Sequence, residues 1–105
     1  MDKKLAVVAA LFVHPGHEKE FEQFEAAAES IMRRHGGRLE RRIGFSSGAN
    51  PEQPHEVHIV TFPDEQSFAR YRTDAELQAL AELRACAIRR TTVWMGSELG
   101  SFIKE

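Results

Sequence analysis

Between residues 4 and 13 (KLAVVAALFV) apolar side chains fall at odd and even positions alike, a pattern that predicts a strand buried on both faces. Pro15-Gly16 breaks the run. From His17 to His35 the period changes. Phe21, Phe24, Ala28, Ile31 and Met32 recur at helical spacing, while Glu18, Glu22, Glu25 and Glu29 take much of the remaining surface. Acidic residues lead this segment and Arg33, Arg34 and His35 end it, the sense that suits the helix dipole. Gly36-Gly37 supplies the stop.

Alternation returns from Leu39 to Phe45, predicting a second strand with Leu39, Arg41, Ile43 and Phe45 on one face and Arg38, Glu40 and Arg42 on the other. SSGANPEQP (46–54) is a turn-rich connection. Glu56 to Phe62 reads as a third strand, with His58, Val60 and Phe62 on one face. Pro63-Asp64 opens a second helix, Asp64 being a good N-cap. That helix is expected in two pieces, because Thr73-Asp74-Ala75-Glu76 has capping-box spacing with Thr73 at the cap. Residues 90–96 (RTTVWMG) form the last strand, and the tail SELGSFIKE follows, with Phe102-Ile103 placed to tuck against a neighbour.

The order is β-α-β-β-α-β, a single α+β domain over 1–105 of ferredoxin-like type with a four-stranded antiparallel sheet. Two helices cover only one face of such a sheet. The first strand is nevertheless apolar on both faces, and the last carries Val93 and Met95 on one side and Trp94 on the other. A second copy of the chain is the economical cover, so a homodimer through the sheet faces is expected.

Composition narrows the function classes. Apolar residues make up 42% and charged residues 29%, an ordinary globular balance, and a net charge of −2 gives no basic field for nucleic acid. The Leu5–Val13 run is too short to span a bilayer, which takes about 20 residues, so no membrane partner is expected. A single cysteine, Cys86, excludes an internal disulfide and suits a reducing cytoplasm.

One stretch is family-like. Val60-Thr61-Phe62-Pro63-Asp64, leading into Phe68-Ala69-Arg70-Tyr71 and then Asp74-Ala75-Glu76-Leu77-Gln78-Ala79-Leu80, resembles the strand, Phe-Pro, helix and short second helix of the dimeric α+β barrel proteins. His14-Pro15-Gly16 followed by Phe21 is similar to their first strand-to-helix passage. Within that superfamily the chain resembles short uncharacterised bacterial proteins most, and antibiotic-biosynthesis monooxygenases and muconolactone-isomerase-like enzymes more distantly. The resemblance implies a homodimer whose sheets form a barrel, with a pocket between sheet and helices in each subunit. Some members oxidise or isomerise small, often aromatic molecules there without metal or prosthetic group, and others bind haem. None of their catalytic residues matches this chain one to one.

His58 is the first candidate, because it shares a face with Phe62 and should line the space under the helices. Imidazole exchanges a proton near neutral pH, which a cofactor-independent oxygenase or isomerase needs to make a carbanion or enolate from an aromatic or carbonyl ligand. Tyr71, where the second helix bends, and Arg42 are candidates to steady the resulting oxyanion. His14 at a strand end, Arg42 as an anion contact and Trp94 as the wall for a flat ligand complete the set. Cys86, among Ala85, Ala87 and Ile88, reads as a buried, inert thiol. His14 and His17 have no carboxylate or Cys at ligand spacing, so neither a metal nor another cofactor is expected. The other reading is a non-catalytic ligand-binding or structural homodimer.

Overall fold

The computed structural model describes residues 4–46 and 50–103; Lys3, the middle of the 46–54 turn and the last two residues of the tail lie outside them. Its elements are β1 (Leu5–Val13), α1 (Glu18–Arg34), β2 (Arg38–Gly44), β3 (Glu56–Phe62), α2 (Glu65–Arg72), α3 (Ala75–Gln78), α4 (Ala81–Ala87) and β4 (Ile88–Ser97). The strands form one antiparallel sheet in the order β2-β3-β1-β4. β1 is one of the two inner strands, paired with β3 and β4, a place that suits its unbroken apolar run.

α1 packs its Phe21, Phe24, Ala28 and Ile31 stripe on the sheet. It ends as the glycines dictate. Gly36 takes φ +80°, its N–H donates to Arg33 and that of Gly37 to Met32, closing the helix with a left-handed cap. Gly37 also allows a close approach: a Cβ there would lie 2.6 Å from the Phe62 ring and 2.4 Å from Met32 Cγ. The end of α1 therefore sits directly over Phe62, which is 1% exposed.

Three local features differ from expectation. The second helical region is in three pieces rather than two, and Asp74, not Thr73, caps α3 by accepting from the Glu76 N–H. Thr73 instead ends α2, its hydroxyl donating to the Ala69 carbonyl. Asp64 caps α2 as read, accepting from the Ser67 N–H at 2.7 Å.

The third difference matters most for the site. The β2–β3 register slips between Leu39 and Arg41, so that Leu39 pairs with Val60, Arg41 with Ile59 and Arg42 with His58. The extra residue, Glu40, is a bulge that reverses the parity of the rest of β2. Arg42 thus shares the helix-side face with Leu39 and His58, while Arg41 and Ile43 turn to the open face. This corrects the alternation read from the sequence. Glu40 gains a partner there, accepting from Thr61 Oγ1 at 2.8 Å.

The core under the helices is in two clusters rather than one. Leu11, Phe21, Phe24, Ala28, Ala87 and Ile88 form the first. Leu5, Val7, Val60, Phe62 and Phe68 form the second.

Candidate functional site

Between the two clusters lies a cavity of about 570 Å³, lined by Leu11, Phe24 and Ile88 from one and Val7, Val60 and Phe68 from the other. The register explains the space. Ala9 stands mid-strand between His58 on β3 and Val93 on β4, and its methyl group leaves the floor low. Leu77, Gln78, Ala81 and Ala85 of α3 and α4 form the other wall. A mainly apolar cavity of this size with a few convergent polar groups is what small-ligand sites look like.

His58 lies on the cavity lining and is 4% exposed. It is held from both ring nitrogens. Nε2 lies 2.7 Å from Glu56 Oε1, two residues along the same strand face. Nδ1 lies 3.5 Å from Glu25 Oε1 on α1. Glu56 is itself gripped by Arg42, whose Nε donates to Oε1 at 2.9 Å and whose terminal nitrogen donates to Oε2 at 2.7 Å. Arg42, opposite His58 in the register, reaches Glu56 from the neighbouring strand. The same guanidinium also pairs with Glu22.

These contacts decide the protonation states. Burial alone would raise the Glu56 carboxyl, but hydrogen bonds from Arg42 and His58 outweigh it and hold the group below the usual carboxylate range. An ionised carboxylate only accepts, so His58 Nε2 carries the proton and Nδ1 the lone pair. Burial depresses the His58 imidazole, keeping it neutral. Glu25 goes the other way. Burial, and then the nearby Glu56 charge, push its carboxyl from 4.5 up to about 7. A carboxyl inclined to keep its proton thus stands 3.5 Å from the imidazole Nδ1. Tyr71 lines the same cavity, and burial followed by the Glu25 charge pushes its phenol up to about 12, keeping it a neutral donor.

The candidates read from the sequence divide. His58 and Tyr71 meet at the cavity. Arg42 stands behind His58 rather than in the cavity lining, occupied by two carboxylates, so it is not placed to meet an anion. His14 sits at the β1–α1 turn, edge-on to His17 and away from the cavity. Trp94 pairs with Val8 on the opposite face of the sheet and is 57% exposed, so it does not wall the cavity. Cys86 is exposed rather than buried, with Sγ 3.4 Å from His17 Nδ1. Glu25 and Glu56 were missed. A signal for Glu25 existed: it is four residues after Phe21 and three before Ala28, inside the apolar stripe.

The Glu25 acid has a consequence for stability. A carboxyl whose folded pKa is raised binds its proton more tightly when folded, so it costs stability as pH climbs from its unfolded value of 4.5 through about 7. His58, depressed on folding, acts in the opposite sense, costing stability as pH falls below the ordinary histidine value. Comparing wild type with Glu25→Gln isolates the first effect. The variant should gain on wild type by on the order of 2 kcal/mol between about pH 5 and about pH 8 in urea unfolding. A gap that stays constant with pH would show that Glu25 is not held as the acid.

Comparison with known proteins agrees with the fold. A protein of unknown function from Rhodopseudomonas palustris superposes with a TM-score of 0.79 at 13% identity, over 96% of this chain and 86% of that one. A dabb family protein with a ferredoxin-like fold from Mesorhizobium loti gives 0.67 at 16% identity, over 94% and 100%. SnoaB, a cofactor-independent oxygenase from Streptomyces nogalater, gives 0.74 at 16% identity, over 98% and 100%. The ferredoxin-like fold, and the likeness to dimeric α+β barrel proteins read from the sequence, are therefore shown. No protein of curated function matches. Residues 7–96, which hold every group of the cavity floor, match the family described as a domain of unknown function, DUF1330, and the chain belongs to that family.

Proposed function

We propose that this protein is a small-molecule enzyme that needs no cofactor, an oxygenase or isomerase in which His58 acts as base on an aromatic or carbonyl compound. The carrying observation is His58 on the cavity lining, with Nε2 held 2.7 Å from Glu56 Oε1 and Nδ1 3.5 Å from Glu25 Oε1. In the step this arrangement suits, a C–H bond next to a carbonyl breaks. The proton passes to Nδ1 and the electron pair moves onto the carbonyl oxygen, where the Tyr71 hydroxyl donates to it. Return of the proton to a different carbon completes an isomerisation, and dioxygen is the electron acceptor in an oxygenation. Glu56 and Arg42 keep the ring oriented and take no proton. SnoaB supports the reading only in that the same fold serves a cofactor-independent oxygenase.

Hydrogen–deuterium exchange at the acidic C–H of a panel of 1,3-dicarbonyl and phenolic compounds, followed by NMR, tests the base. Wild type should accelerate exchange for at least one compound, and His58→Ala should lose roughly 10²- to 10⁴-fold of that acceleration. Equal rates in the two proteins would remove His58 from the role. Binding without exchange in wild type would favour the non-catalytic alternative.

The working unit in this reading is a homodimer in a reducing cytoplasm, joined through the open sheet face. The helices cover one side of the sheet, while Val8, Val57, Ile59 and Trp94 alternate onto the other. Ile43 and Phe45 of the second-strand region are exposed as well. Phe12, also on that side, is buried under the Arg89 and Arg90 guanidiniums, 5.2 and 4.0 Å from its ring centre. Residues Leu99, Phe102 and Ile103 of the tail are exposed too, so Phe102-Ile103 find no cover among the described residues. Wild type should elute as a dimer in size-exclusion chromatography with light scattering, and Trp94→Glu as a folded monomer. A monomeric wild type would contradict the assembly.

A further inference from the structure

The cavity is electrically lopsided. Its floor is crowded with carboxyl groups: Glu25 lines it, and Glu56 and Glu22 stand behind it around Arg42. Its exposed rim carries two guanidiniums, Arg72 at the end of α2 and Arg84 on α4, both of which line the cavity. Among the described residues neither is paired with a carboxylate. Arg84 donates to Thr91 Oγ1 at 3.0 Å, and Arg72 lies 5.4 Å over the Phe68 ring. The charge of Arg84 reaches inward, acting on both Glu25 and Tyr71. Gln78, the other amide on that rim, is already committed, donating to the Arg72 carbonyl at 2.7 Å.

We infer that the ligand is an amphiphilic organic anion, an apolar body ending in one carboxylate-like group, held at the rim by Arg84 and Arg72 with the apolar body reaching down to His58. The inference rests on the cavity being a ligand site. A guanidinium at the rim of an apolar cavity binds an anionic oxygen group more strongly than a neutral one, because opposite charge strengthens the hydrogen bonds and its donors match such a group in pairs. The carboxyl-rich floor repels the same group, so the ligand has one orientation. Its uncharged end then meets the imidazole, which is the end where a proton is to be removed.

A pair of fluorescent probes that differ only in the charged group tests this: 8-anilinonaphthalene-1-sulfonate and its uncharged parent N-phenyl-1-naphthylamine. Both should bind wild type. Arg84→Met should weaken the sulfonate roughly tenfold while leaving the uncharged probe within about twofold, and Arg72→Met should act in the same direction. Lys19→Gln, exposed on α1 and outside the cavity lining, should change neither. If the arginine variants weaken both probes equally, or neither, the anion assignment falls while the cavity stands as a ligand site. If Lys19→Gln alone releases the sulfonate, binding is outside the cavity and the inference is overturned. If neither probe binds wild type, the reading of the cavity as a ligand site falls, and the anion assignment with it.

Discussion

Glu56 is the ion on which the arrangement under the helices depends. A carboxylate buried to this degree is costly unless its oxygens are filled, and here they are filled by the Arg42 guanidinium and by His58 Nε2. Holding Glu56 ionised fixes the imidazole as the Nε2–H tautomer, which turns the Nδ1 lone pair toward Glu25. Glu25 in turn stays protonated toward neutral pH, first because it is buried and then because a second carboxylate charge beside Glu56 is disfavoured. One bidentate contact from β2 thereby keeps Glu56 ionised, and burial together with that charge sets the states of His58 and Glu25.

That contact exists because of the backbone. Without the bulge at Glu40, Arg42 would point to the open sheet face, and Glu56 would be buried without its cation. Ala9 clears the space before His58. The cavity is thus framed by residues that are small or displaced, between two clusters that are otherwise packed. The breaks between α2, α3 and α4 continue the same logic. Three short helices carry Tyr71, Leu77 and Arg84 around the cavity, where one straight helix would follow a single line across it.

Much of this was legible in the chain. Period-two and period-3.6 patterns located the strands of the sheet, α1 and the helical region after Pro63, and Asp64 marked its cap. The two-sided apolar run at 4–13 marked an inner strand. His58 was placed on the helix side because Phe62 had to be there, and Val60 and Phe62 do share its face. Other features were hidden for physical reasons. A bulge leaves no trace in an alternating pattern when the extra residue is itself polar, so Arg42 was put on the wrong face. Glu25 looked like one of a row of solvated glutamates, although it falls within the apolar stripe. Cys86 sat among alanines, which line exposed as well as buried helix surfaces, and its closeness to His17 joins residues far apart in the chain.

The central claim is that His58 is a neutral imidazole with its Nδ1 lone pair turned to a protonated Glu25. Long-range ¹H–¹⁵N NMR of the histidine ring, with ¹³C detection of the glutamate carboxyls across pH, measures it directly. The account predicts the Nε2–H tautomer, a His58 titration below the ordinary 6.5, and a Glu25 titration near about 7. A proton found on Nδ1, or a Glu25 titrating near 4.5 beside an imidazolium, would contradict it.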